Sequence, residues 1–296
     1  MGNRNILLNF FLLLRAHHWI KNVLVLFPLF FSGKLFIWKT FESGVYAFLI
    51  FSLLTSSIYL FNDIQDIEKD RRHPEKRKRP LPAGIFKVST AWMLFFSLTV
   101  ISLGMDLLLS EDRISILILL FYWGSNIAYS KVLKKIPVID FSILAAGFVL
   151  RVLYGGAMCN IRISHWLFLC VMAAALFMGI GKRRNELRSA ERQNVTRDVL
   201  KHYTNDFLDK NMYLSAALAI VFYALWSVSP DLADSRMVFT VPLILLLFFR
   251  YSFLVESEKS SGDPVNTFLG DKVLCILSLV FASALFWLFY SGKISG

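Results

Sequence analysis

Nine apolar stretches dominate this chain, at roughly residues 20–37, 43–61, 88–108, 113–130, 138–158, 164–181, 211–229, 236–255 and 272–291. A bilayer core about 30 Å thick is crossed by about 20 apolar residues at 1.5 Å rise per residue. Backbone N–H and C=O groups in that core must be satisfied internally, so runs of this length are helical. The expected fold is therefore all-α: a polytopic membrane bundle of about nine transmembrane helices around a polar cavity facing the cytoplasm. A composition of 56% hydrophobic residues with 28 Phe agrees. The run at 5–14 is too short to span, and Arg15, Ala16, His17 and His18 follow it in place of a small-residue cleavage site. It reads as an interfacial helix near 3–16 that leads into the first span. No polar connection is long enough to fold alone, so residues 1–296 are expected to form one transmembrane domain.

The net charge of +11 is unevenly distributed. Of 32 Lys and Arg, 25 fall in the N-terminal segment and in the alternate loops 62–87, 129–140, 182–210 and 250–272. This asymmetry places those loops in the cytoplasm, in a plasma (inner) membrane, with the N terminus inside. Basicity confined to short loops argues against nucleic acid as a partner and for anionic substrates at a membrane surface. Cys159, Cys170 and Cys275 lie in or beside apolar runs and suggest neither a disulfide framework nor a metal site.

The first charged loop carries the clearest chemistry. Asn62-Asp63-Ile-Gln-Asp66-Ile-Glu-Lys-Asp70 closes the second apolar run. On one helix, Asp63, Asp66 and Asp70 would share a face within roughly 60°. Carboxylates so placed repel one another unless a cation lies between them. Their hard oxygens suit Mg²⁺, which commonly bridges protein carboxylates and substrate phosphates, with Mn²⁺ as a substitute. Asn62, Asp63, Asp66 and Asp70 are the candidate metal ligands, and the three aspartates the candidate catalytic groups. A solvated acidic helix end would show the same carboxylates. Seven Lys and Arg between positions 69 and 79 argue instead for a metal-phosphate pocket with its anion clamps. Arg79, before Pro80-Leu-Pro82-Ala-Gly84, is the best-placed phosphate contact.

Further candidates lie on other loops. Tyr129 and Lys134 flank the turn that leads to Asp140, whose place at a helix start also suits a cap. Arg151 lies eleven residues beyond Asp140, about 16 Å along a helix axis and deep in a span. An intramembrane Arg is costly and faces a cavity or a partner. It is expected to support the site by pairing with Asp140 or with a carboxylate of the first motif. Lys182, Arg183 and Glu186 end another span at the cytoplasmic boundary; Lys182 and Glu186 are spaced as an i,i+4 pair, and Lys182 and Arg183 are expected to face substrate. Weaker stretches are 198–204 and Gly262-Asp263-Pro264 with Asp271.

Asn62-Asp63-x-x-Asp66-x-x-x-Asp70 followed by Arg79-Pro80-Leu-Pro82-Ala-Gly84 resembles the first signature of the UbiA superfamily of intramembrane prenyltransferases. Those enzymes usually carry a second Asp-rich motif after the fourth span. Here Asp140 stands alone. The chain instead resembles the decaprenyl-phosphate phosphoribosyltransferase branch, through Arg15-x-x-x-Trp19-Ile-Lys21-Asn22, Tyr129-Ser-x-x-Leu133-Lys134, Val138-Ile-Asp140 with Arg151, and Gly181-Lys182-Arg183-x-x-Glu186-Leu187. Lys21 and Asn22 join the candidate substrate residues on this ground. The resemblance implies Mg²⁺-dependent transfer of 5-phosphoribosyl from phosphoribosyl diphosphate to a polyprenyl phosphate, releasing diphosphate; a homo-oligomer is compatible with it. The alternatives are a conventional prenyltransferase acting on an aromatic or haem acceptor, a lipid or anion transporter, and a passive assembly factor.

Overall fold

The computed structural model describes residues 6–74, 76–193, 198–229, 235–256 and 264–294, and among these residues there is no strand. Two compact units emerge. The first comprises Met1–Lys131 and Leu150–Arg162, the second Val132–Val149 and Ile163–Gly296.

The first unit runs α1 (Ile6–Leu13), a 3₁₀ segment (Ala16–Leu26), α2 (Phe27–Phe31), α3 (Trp38–Gln65), α4 (Ile67–Arg71), α5 (Val88–Leu109) and α6 (Ile114–Lys131), with the later part of α7 (Ile139–Met158). Its centre is α3, packed against α5, α6 and the 3₁₀ segment. Ile50, Phe51, Leu54 and Ile58 of α3 are buried with Val25, Leu119, Tyr122 and Tyr154. Leu60 and Phe61 form a second core with Leu13, Leu81 and Phe95. The buried hydroxyls of Thr55 and Ser57 satisfy themselves on the Phe51 and Leu54 carbonyls, at 2.7 and 2.8 Å, as small polar residues do in membrane helices.

The second unit holds α8 (His165–Gln193), α9 (Asn205–Ser227), α10 (Val241–Glu256), α11 (Pro264–Gly270), α12 (Lys272–Ile294) and the start of α7. Helices α8 and α9 form its main pair, and its core gathers Phe141, Phe177, Ile180, Leu208, Met212, Tyr251 and Leu274.

Among the described residues, six helices are long and apolar enough to cross a membrane, or seven if the bent pair Ile6–Leu13 and Ala16–Phe31 counts as one span. Only 17% of the apolar window is buried in α5, α10 and α12, against 67% in α3. The outer helices thus keep apolar faces for lipid, while α3 is a core helix. Of the nine expected spans, those at 113–130 and 211–229 are helices whose polar ends dilute them: Ser125, Asn126, Ser130 and Lys131 close α6, and Asn205, Asp206, Asp209 and Lys210 open α9. The expected span at 20–37 is not one unbroken helix. It is 3₁₀ to Leu26, turns into α2 with Pro28 in the first turn, and ends before Gly33. Pro lacks the N–H that would continue a helix through this point.

Candidate active site

The acidic motif sits where α3 stops. Asp66 takes φ −99° and ψ 8°, ending α3 at Gln65, and α4 restarts at Ile67. The expected single face of three aspartates is therefore interrupted. Asp63 and Asp70 turn inward and are buried, while Asp66 at the break is partly exposed. Among the described residues no three His, Cys, Asp or Glu side chains converge on one metal position. Two carboxylates do converge on one guanidinium: Arg79 Nη1 donates to Asp70 Oδ2 at 2.6 Å and to Asp63 Oδ1 at 3.4 Å. Lys76 Nζ lies 4.0 Å from Asp70, and Asn62 Oδ1 accepts from Ser130 Oγ.

The loop after α4 explains why Arg79 arrives there. Its backbone closes on itself, with Ala83 N–H to Arg79 O at 2.9 Å and Ile85 N–H to Pro80 O at 3.0 Å. Gly84 takes φ +76°, a conformation that favours glycine. Leu81 is buried beside Leu60 and Phe61, pinning the turn to the end of α3. Arg79, two residues earlier, is thereby aimed at the carboxylates.

A second guanidinium meets Asp63 from the other side. Arg15 donates to Asp63 Oδ1, and its guanidinium lies over the Tyr59 ring, 5.0 Å from the centroid. Arg15 has φ +51° and ψ +41°, a left-handed conformation costing a non-glycine residue about 1–3 kcal/mol. A cavity of about 230 Å³ opens beside these groups. Arg15, His17, His18, Lys78 and Arg79 supply its basic wall, Asp63 its acid, and Leu12 and Pro80 its apolar edge. Three of these, Arg15, His17 and His18, were not singled out as site residues from sequence, and Lys78 entered only as part of the basic run 69–79. The signal was present in the Arg15-Ala-His-His cluster, which follows an apolar run that ends at Leu14.

This arrangement fits a divalent cation delivered with a phosphate-bearing ligand. Mg²⁺ keeps water and substrate oxygens and needs only one or two protein carboxylates. Asp63 and Asp70 are two buried carboxylates beside a basic cavity, and Arg79 can exchange from them onto an anion.

The second unit holds a different network. Asp140 Oδ2 accepts from Arg183 Nε, and Tyr203 OH donates to Asp140 Oδ1. Val138 N–H donates to Tyr203 OH at 2.6 Å, and Arg183 Nη1 to Glu186 Oε2 at 2.5 Å. Val138 has φ +68°, an outlier for a β-branched residue. Burial and then the hydrogen bond to Asp140 push the Tyr203 phenol above its ordinary range, so it stays protonated. Arg183 was expected to face substrate at the boundary; it is 1% exposed and committed to two carboxylates. Glu186 is engaged by Arg183 at i,i+3, and Lys182 is half-buried beside it.

Arg151 is also buried. Its Nε donates to Asn22 Oδ1 at 2.8 Å and its Nη2 to Tyr122 OH at 2.9 Å, and its guanidinium lies 5.2 Å from the Phe51 and Tyr122 ring centroids. A carboxylate was expected at this position; an amide and a phenol accept from Arg151 here, and Asp140 takes Arg183. Lys21, Tyr129 and Lys134 are half-buried. Gly262 and Asp263 lie outside the described residues; Asp271 pairs with Arg250 at 2.7 Å.

The sequence model of the UbiA prenyltransferase family matches residues 25–271. The chain belongs to this family. A decaprenyl-phosphate phosphoribosyltransferase of Mycolicibacterium smegmatis is 36% identical over 280 residues, covering 90% of this chain and 87% of the relative. One from Corynebacterium glutamicum is 33% identical over 274 residues, covering 90% and 82%. The solved structure of a UbiA homolog from Archaeoglobus fulgidus bound to GPP and Mg²⁺ superposes with a TM-score of 0.71 at 19% identity, over 95% of this chain and 99% of that one. The all-α UbiA fold expected from sequence is thus borne out. Within this family member, the α3–α4 break and the loop to Gly84 hold the first signature, and Asp140, where a second acidic motif would stand, is enclosed by Arg183 and Tyr203.

Proposed function

We propose that this chain transfers the 5-phosphoribosyl group of phosphoribosyl diphosphate to a polyprenyl phosphate of the decaprenyl type, releasing diphosphate. The observation that carries this reading is the pairing of buried Asp63 and Asp70 with a basic cavity, in a chain one-third identical to phosphoribosyltransferases over nine-tenths of its length. Asp63 and Asp70, with Asp66 and Asn62 at the edge, would hold a divalent cation, Mg²⁺ or in its place Mn²⁺. Bound there, that cation would neutralise charge on the departing diphosphate. Arg15, Lys78 and Arg79 would take diphosphate oxygens as the bond from anomeric carbon to diphosphate breaks. The lipid phosphate is already an anion, so its oxygen forms the new bond without a strong general base. Positioning and charge stabilisation would supply the rate. The cavity would open to the cytoplasm of a multi-pass plasma-membrane protein, a reading the loop charges support, and residues 1–296 would act as one domain. Lys21, Tyr129, Lys134 and Lys182 are kept as further phosphate contacts. Asp140, Arg183, Glu186, Asn22 and Arg151 are reassigned from touching substrate to holding the site's frame.

The rival prenyl transfer is disfavoured because Asp140 is already neutralised by Arg183. Purified protein given labelled phosphoribosyl diphosphate, Mg²⁺ and a short polyprenyl phosphate should move label into the organic phase. Chelation by EDTA should stop it and added Mg²⁺ restore it. Efficient prenylation of an aromatic acid from a prenyl diphosphate, with no label transfer, would overturn the reading.

A further inference from the structure

The 3₁₀ segment is tied to α3 along one helical face. Ser52, Ser56, Tyr59 and Asp63 follow one another at intervals of four, three and four, so they line one side of α3. Asn22, Trp19 and Arg15 meet them in reverse order. Asn22 Nδ2 donates to Ser52 Oγ at 3.0 Å, Trp19 Nε1 donates to Ser56 Oγ at 3.0 Å, and Arg15 lies over Tyr59 and reaches Asp63. The outer side of the segment is fixed by α7. Arg151 Nε holds Asn22 Oδ1, and Gly155 lies so close that a Cβ there would meet the Val25 carbonyl oxygen at 1.8 Å.

One rung bears directly on Arg15. Ser56 Oγ, while accepting from Trp19, donates to the Leu14 carbonyl at 2.9 Å. That carbonyl belongs to the peptide preceding Arg15, so its direction helps set the left-handed φ of +51°. On the other flank, His18 N–H donates to Arg15 O at 2.8 Å. A left-handed arginine persists only where its surroundings over-determine it, and here both flanking peptides are held.

From this geometry we infer that Arg15 is a diphosphate-binding residue, and that Trp19, Ser56, Asn22 and Arg151 are positioning residues that hold it at the Asp63 edge of the cavity. The inference rests on the proposed reading of the cavity as the diphosphate site and adds to it the residues that fix Arg15 there beside Lys78 and Arg79. The ladder acts only through Arg15, so breaking it should matter only while Arg15 is present.

The test is a double-mutant cycle with two readouts: calorimetric affinity for inorganic diphosphate with and without Mg²⁺, and the split of donor KM against kcat. Ser56→Ala and Trp19→Phe each delete a rung and keep the bulk of the side chain, and thermal melts verify folding. In the Arg15 background each should weaken diphosphate binding and raise donor KM by about tenfold, the scale of one displaced charge-assisted contact. Added to Arg15→Ala, the same changes should cost less than about twofold, since the coupling is between contacting residues. Equal losses in both backgrounds would show a merely structural ladder and overturn the inference, as would unchanged diphosphate affinity in Arg15→Ala. Label transfer failing while the cycle holds for inorganic diphosphate would overturn the phosphoribosyl reading and leave the positioning role intact.

Discussion

The two ionic networks of this protein are built from like parts and placed in unlike surroundings. In the first unit Asp63 and Asp70 share Arg79, whose side chain is 34% exposed at the edge of a cavity. In the second, Asp140 and Arg183 are 0% and 1% exposed, with Tyr203 also bound to Asp140 and Glu186 to Arg183. A buried pair closed in this way cannot trade partners without leaving a desolvated charge behind. A pair at a cavity edge can release its guanidinium to an arriving anion, with water or the ligand solvating what is left. We therefore propose that chemistry belongs to the first network and architecture to the second, although sequence reasoning gave residues of both a place in the site.

Removing one partner of the enclosed pair tests this division most severely. Arg183→Ala should destabilise the protein by about 3–5 kcal/mol, because Asp140 would be left buried with Tyr203 alone. Asp140→Leu combined with Arg183→Leu should recover much of that loss, as apolar replacements of buried pairs often do. Wild-type stability in Arg183→Ala, or a stable double variant that no longer binds donor, would break the comparison by making the second network a ligand site. The next effect is kinetic. Asp63→Asn should lower turnover at least about 100-fold, roughly 2.7 kcal/mol of barrier, while moving the melting temperature by less than about 4 °C. A large stability loss with modest kinetic change would reverse the assignment of roles.

The smallest effect concerns Asp271. Its hydrogen bonds from Arg250 and then from the Leu274 N–H hold its carboxyl below the usual range. A depressed folded value means that the contribution is full above the unfolded carboxylate pKa of about 3.9 and fades as pH falls through the folded value. Asp271→Asn should therefore lower stability modestly at neutral pH and flatten the acid edge of the stability profile below about pH 4, where variant and wild type converge. An unchanged acid edge would show that this half-buried pair is screened by solvent.

Hydropathy was enough to place the helices, because lipid demands long apolar runs whatever their packing. It did not separate α3, which is largely buried, from α5, α10 and α12, which keep outward faces; all four read as spans. Asp63, Asp70 and Arg79 were legible because they are near in sequence. The break at Asp66 was not, since neither Pro nor Gly marks it. Arg151 announced itself as an intramembrane charge, yet its partner Asn22 stands 129 positions away. A single sequence carries no record of such pairing, and the roles of Ser52 and Ser56 depend on it entirely.

That separation has a consequence for how the protein is made. The 3₁₀ segment leaves the ribosome before Gly155 and Arg151, which close over its backbone and over Asn22 and follow well over a hundred residues later. At roughly 5–20 residues per second, the delay is on the order of ten seconds. During that interval the N-terminal segment can lie against α3 but cannot be locked there. The proposed diphosphate site is thus completed only when the seventh helix arrives.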